Sequence, residues 1–340
     1  MPTVVIKPGA TIFVTGINGL IGSHVADQLL NQGYNVRGAV RDVEKTKWLK
    51  EYFDEKYKNK KFELLAVPDM TVGGCYDNIL EGIEGFIHLA APVGTVSDLN
   101  VGLYLGRRAG LNALEACAKA PSVKRFVNTS SSTAAAFSNP GLNEELRIDE
   151  TTYNDAAADM AKVAEPRSNA FLVYAAMKAD SEKTMWQWMK DNKPDLVMNS
   201  ILPNVNLGPV LVPAHQGYPS TIDWARAPWT GENFEAYAAL IPPQWFISVR
   251  DNALLHISAL IHSEVNGERL FGYAGRYNFN DLLAIYRKNY PEKKFPNNFE
   301  GLGKDMTVPP MERAEEVLRW IKRRGWDGLE ETVLDMSKDW

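Results

Sequence analysis

The chain has 340 residues, 45% apolar and 23% charged, which allows one large domain or two and excludes disordered and fibrous classes. A formal charge of -5 with no basic stripe argues against a nucleic-acid partner. Cys75 and Cys117 give neither a disulfide framework nor a metal spacing, the first apolar run is too short for a membrane span, and the first ten residues lack a signal-peptide layout, so a soluble, cytoplasmic protein without metal is expected.

In chain order, short β-rich runs alternate with longer amphipathic ones, the pattern of a parallel sheet with crossover helices. The strand runs are TIFVTG (11–16), NVRGAV (35–40), FELLAV (62–67), GFIHLAA (85–91), RFVNTSS (125–131) and LVMNSILPN (196–204). Helices are expected near 20–32, 43–59, 74–82, 100–119 and 170–191, while 132–169 reads as a long loop. This predicts an α/β, doubly wound Rossmann sheet over 1–204. Beyond it, Pro209, Pro213, Pro219, Pro228, Pro242 and Pro243 break the chain, so 205–340 is expected to be mainly a smaller, irregular substrate lobe, part of which returns to the core. Helices near 250–262, 280–289 and 311–322 and a strand near 268–275 are its clearer elements, and the C-terminal WIKRRGWDGLEETVLDMSKDW reads as a solvated amphipathic end.

Gly16, Gly19 and Gly22 follow the first strand and open the first helix. They suit a tight turn, close approach of a pyrophosphate and close helix packing, with the helix N-terminus facing the anion. At the end of the second strand, Val40 stands where NAD-preferring folds carry an acid, with Arg37 and Arg41 alongside and Lys45 a turn later. These favour NADPH, whereas a shift of two residues would bring Asp42 to that place. On the 170–191 helix, Tyr174 and Lys178 share a face, where an ammonium favours a phenolate. The same spacing occurs at Tyr52/Lys56, Tyr57/Lys61 and Tyr290/Lys294, so it selects nothing alone.

With TGINGLIG, HLAAPV (88–93), VNTSSS (127–132), VYAAMK (173–178) and ILPNVNLGP (201–209) in this order, the chain resembles an extended short-chain dehydrogenase/reductase of the dihydroflavonol-reductase-like branch. It looks most like the fungal NADPH-dependent aldehyde and carbonyl reductases. That resemblance picks Tyr174 from the four pairs and implies a catalytic Ser131, Tyr174 and Lys178, with Ser130 and Ser132 left open as alternatives to Ser131. It implies cofactor contacts from Gly16, Asn18, Gly19, Leu20, Ile21, Gly22, Arg37, Arg41, Asp69, Met70, Leu89, Ala90, Ala91, Thr129, Tyr174, Lys178, Pro203 and Val205.

Substrate contacts are expected from loops over the strand C-termini, at Val93, Phe137, Asn204, Trp224, Trp229, Pro242, Gln244 and Trp245. Their apolar character suits a hydrophobic carbonyl compound. His88, Trp186 and Trp188 read as packing residues. Two rivals remain: an epimerase or dehydratase of the same extended family, which usually carries the NAD-type acid, and a dinucleotide-sensing regulator, which generally lacks the Tyr and Lys pair. Oligomeric state is open.

Overall fold

The computed structural model describes residues 2–58, 61–92 and 96–340, with backbone only at 166–168. Its first half runs β1 (Thr11–Thr15), α1 (Leu20–Asn31), β2 (Asn35–Val40), α2 (Val43–Lys56), β3 (Phe62–Ala66), β4 (Ile83–His88), α3 (Leu99–Lys119), β5 (Arg125–Thr129), β6 (Leu146–Arg147), α4 (Ala156–Val163), α5 (Pro166–Asn192) and β7 (Val197–Pro203). There follow β8 (Val205–Leu207), α6 (Pro213–Gln216), α7 (Thr221–Thr230), α8 (Phe234–Leu240), β9 (Gln244–Ser248), α9 (Val249–Ile261), β10 (Arg269–Gly272), β11 (Gly275–Tyr277), α10 (Phe279–Asn289), β12 (Thr307–Val308), α11 (Glu312–Lys322) and α12 (Leu329–Ser337).

Seven strands form the main sheet in the order β10-β7-β5-β4-β1-β2-β3, and every neighbouring pair is parallel. Parallel strands covered on both faces are apolar on both faces. Along β1, Ile12 and Val14 therefore join a cluster with α1, α9 and α11, while Phe13 points the other way to Phe86, Phe126 and residues of α3 and α5. The strand order reverses between β1 and β4, so a crevice opens at their C-terminal ends.

Several sequence expectations need correction. Residues 74–82 form turns rather than a helix, with positive φ at Gly74, Asn78 and Gly82, backbone angles a helix cannot hold. The 132–169 stretch is not all loop, since it contains β6, α4 and a single 3-10 turn at Ser132–Ala134. The strand expected near 268–275 is the seventh member of the main sheet, beside β7. The C-terminus is not a solvated end: α12 buries Thr332, Val333, Met336 and Ser337, and Trp340 meets Trp229 edge-on at 5.7 Å.

Helix α3 brings α5 close. Gly102, Gly106 and Gly110 lie one turn apart, and a Cβ there would stand 2.5, 2.4 and 2.7 Å from Val173, Met177 and Met185. These bare positions set the height of α5, and with it Tyr174 and Lys178, over the sheet.

Candidate active site

The turn after β1 is shaped by what it cannot hold. Gly16 has φ +65°, and a Cβ on Gly22 would fall 2.1 Å from the Gly16 carbonyl oxygen. Gly19 caps α1, whose first turn carries no acidic side chain, so its N-terminus presents free N–H groups and positive dipole charge. The end of β4 runs against this turn: the Thr15 hydroxyl accepts from the Leu89 and Ala90 N–H groups at 3.1 Å each. Gly16–Gly22 and Leu89–Ala91 thus line one crevice, and its bare glycine positions, where a Cβ at Gly16 would meet Ala90 at 3.0 Å, fit the backbone approach of a dinucleotide.

The last residues of β5 and the middle of α5 close the crevice. Lys178 donates to the Thr129 carbonyl at 2.8 Å. Burial brings its pKa down to about 8, with Glu182 opposing. Tyr174 is moved the other way: burial raises the phenol, and the Ser131 hydroxyl pulls it back. The three serines separate by direction. Ser130 donates to Glu182 at 2.7 Å, Ser132 lies near the Tyr273 phenol, and Ser131, whose hydroxyl accepts from the Thr133 N–H at 3.2 Å, lies on the Tyr174 side. His88, buried and hydrogen-bonded to Thr15 at 3.0 Å, is held neutral by burial and by the Lys178 charge, with its pKa near 3. A cavity of about 20 Å³ between α3 and α5 is lined by His88, Ala90, Ala91, Thr129 and Lys178.

Other expected contacts are placed elsewhere. Arg37 lies three residues before the end of β2, with its guanidinium on Glu63 at 3.0 Å and on the Ile79 and Glu81 carbonyls. It is a structural residue, whereas Arg41, just past the strand, is exposed. Asp42 caps α2, its carboxylate accepting from the Lys45 N–H at 3.1 Å. Asp69 is exposed at the end of β3 and bonded to Thr71, and Met70 packs under it. The Thr129 hydroxyl points to His256 on the opposite face at 2.8 Å, so the crevice receives only its carbonyl. Pro203 ends β7 and Val205 begins β8, and both are buried.

Of the substrate candidates, Val93 lies outside the described residues. Trp245 is 5% exposed and donates to the Thr307 carbonyl, so it belongs to the core. Trp229 is enclosed by Tyr286, Tyr290, Phe295 and Trp340, which makes it a packing residue too. Trp224 packs on the same cluster. Phe137 faces Phe171, 53% exposed at the start of α5, at 5.8 Å. The neighbouring Ser138 donates to the Pro243 carbonyl, joining this loop to Pro242 and Gln244. The Asn204 side chain accepts from the Val205 N–H at 2.8 Å and lies near the Tyr273 phenol. The other Tyr-x-x-x-Lys pairs serve structure: Lys56 and Tyr57 both donate to Asp27, at 2.6 and 2.9 Å, and Tyr290 bonds Ser337.

Two features escaped the sequence reading. The Gln216 amide, at the end of α6, reaches the Asn18 and Gly19 carbonyls and the Ser23 hydroxyl at 3.1–3.3 Å, strapping residues 208–217 over the glycine turn. Beside it, His215 stacks on Trp48 with centroids 5.0 Å apart. The Gln216 contacts span nearly 200 residues and the His215 stack more than 160, and nothing local announces them. Among the described residues no group of acids, histidines or cysteines could hold a metal, and no helix is long and apolar enough to cross a membrane.

Aldehyde reductase 2 of Sporidiobolus salmonicolor is 37% identical over 335 residues, covering 98% of this chain and 96% of its own. Ketoreductase adrE of Penicillium rubens is 32% identical, over 96% and 95% of the two chains. The yeast methylglyoxal/isovaleraldehyde reductase Gre2, solved with NADPH, shares the fold with a TM-score of 0.80 at 24% identity, over 96% of this chain and 97% of that one. Residues 12–222 match the NAD dependent epimerase/dehydratase family. The chain belongs to that family, as an extended short-chain dehydrogenase/reductase of the reductase type.

Proposed function

We propose that this protein reduces hydrophobic aldehydes and ketones to alcohols with NADPH, Tyr174 being the proton donor. What supports the reading is that Tyr174 and Lys178, one turn apart on α5, stand beside the end of β5, with Lys178 on the Thr129 carbonyl at 2.8 Å and Ser131 near enough to oppose the rise that burial gives the phenol. A proton donor must hold its proton at working pH until negative charge develops on the substrate oxygen. Ser131 and Tyr174 present two hydroxyl donors to that oxygen, and the Lys178 ammonium stabilises the phenolate left behind. A bound nicotinamide supplies the hydride.

Gly16–Gly22 and the α1 N-terminus would hold the pyrophosphate, and Arg41 with Lys45 would meet a 2′-phosphate. The nearest acid, Asp42, spends one carboxylate oxygen on capping α2 and lies 3.7 Å from the Lys45 ammonium with the other, which weakens its claim on the ribose hydroxyls. The aldehyde and keto reductase relatives support a carbonyl substrate. Phe137, which meets Phe171 at 5.8 Å, and the Pro242 loop bonded to the neighbouring Ser138 would supply an apolar, aromatic wall for the substrate.

The test is NADPH oxidation with aromatic aldehydes and keto esters, for the native chain and Tyr174→Phe. A loss of at least about 100-fold in kcat, with NADPH affinity kept, is expected for removal of the acid. A variant as fast as the native chain would overturn the proposal.

A further inference from the structure

Lys178 heads a line of polar groups that continues away from the crevice. One turn further along α5 stands Glu182, 1% exposed. Its carboxylate is met by three elements: the Ser130 hydroxyl at 2.7 Å, the Arg269 guanidinium from β10 at 2.9 and 3.1 Å, and the Trp186 indole at 3.4 Å. Arg269 spends further N–H groups on the Glu150 and Thr152 carbonyls at 2.7 and 2.9 Å and lies 3.9 Å from the Tyr153 ring centre. Desolvation offsets much of the attraction in so buried a pair, so stability is a weak reason for building it.

Two connections lead from this pair to the reacting groups. Ser130 and Ser131 are adjacent in extended backbone, where neighbouring side chains take opposite faces. Binding Ser130 to Glu182 on one face therefore leaves Ser131 on the other, where its hydroxyl accepts from the Thr133 N–H at 3.2 Å and stands near enough to Tyr174 to oppose the rise that burial gives the phenol. The second connection is charge. Lys178 is faced by neutral His88 from β4, the Thr129 carbonyl from β5, and Tyr174 and Glu182 on its own helix, with Arg269 behind Glu182. Glu182 is the anion in that set.

We propose that Glu182, clamped by Arg269 and Ser130, is a positioning residue that keeps Lys178 charged and turns Ser131 toward Tyr174. The proposal rests on the reading of Ser131, Tyr174 and Lys178 as a reductase site.

Its test begins on the cofactor-free full chain: competitive labelling by acetic anhydride across pH, with the Lys178 peptide followed by mass spectrometry. In Glu182→Gln the midpoint is expected to fall by about one pH unit, because an anion favours the ammonium form. The alkaline limb of NADPH-dependent carbonyl reduction should fall with it. Losing one partner of a buried pair can unfold a protein, so Glu182→Gln with Arg269→Gln, which removes both charges, is the second variant and should shift the same way. Ser130→Ala should leave the midpoint in place and lower kcat at least about tenfold through misplacement of Ser131. Native midpoints in both glutamine variants, or native kcat in Ser130→Ala, overturn the proposal. A fully active Tyr174→Phe would instead overturn the reductase reading, and the labelling midpoints would still decide the Glu182 link.

Discussion

At the scale of single residues, the proposed preference for NADPH rests on Arg41. It is exposed one position beyond β2, while Arg37 is tied to Glu63 and Asp42 to the start of α2. Arg41→Ala should raise the KM for NADPH about tenfold, the worth of one charge-assisted hydrogen bond, and leave the KM for NADH unchanged. Initial rates with both cofactors check this, and an equal effect on both would remove Arg41 from the 2′-phosphate. The tight turn at Gly16 and Gly22 and the shared helix face of Tyr174 and Lys178 were legible in the sequence because a turn and an i,i+4 spacing are local, whereas the choice among the four Tyr-x-x-x-Lys pairs rested on the resemblance. Arg37 misled, because which neighbours a strand side chain meets depends on the adjacent strands. Trp229 and Trp245 misled for a related reason: aromatic character suits a substrate wall and a core equally, and only the fold separates them.

Among the elements, the packing of α3 on α5 governs the site. A Cβ at Gly106 would meet Met177, the residue before Lys178, and Gly106 itself lines the small cavity with Lys178. Gly106→Val should therefore push α5 outward, costing about 1–3 kcal/mol of stability by overpacking and at least about tenfold in kcat by moving Tyr174 off its line. Thermal unfolding and steady-state kinetics on one preparation check both, and native kcat in a destabilised protein would show that α5 does not move. The alternation of strands and helices could be read because each half-buried element carries its own period. The seventh strand looked like part of the lobe because its partner, β7, precedes it by more than sixty residues, and α12 looked solvated because the aromatic cluster it covers is assembled from α7, α10 and the chain end.

For the whole molecule, buried imidazoles set the response to acid. His24 donates to the Pro209 carbonyl, the His88 ring is bonded to the Thr15 hydroxyl, and His256 donates to the Asn252 carbonyl and bonds the Thr129 hydroxyl, so three histidines join separate segments of the fold, while His262 is bonded to Ser258 one turn back on α9. Burial lowers all four, to about 4 for His24 and His256 and about 3 for His88. A histidine whose folded pKa lies below its unfolded value binds more protons when unfolded. Its contribution is then complete above the unfolded pKa near 6.5 and is lost as pH falls toward the folded value. Asp251, raised to about 6 by burial beside Lys322, acts in the opposite direction, since the folded chain takes up its proton first. One carboxylate set against several imidazoles leaves a net loss. Between pH 7.5 and 5 the stability should fall, on the order of 1–2 kcal/mol for each strongly shifted histidine. Urea unfolding at the two pH values measures it, and His256→Gln should flatten the dependence by about one histidine's share. An unfolding midpoint that does not move between pH 7.5 and 5 would mean that these rings already carry their protons inside the folded chain.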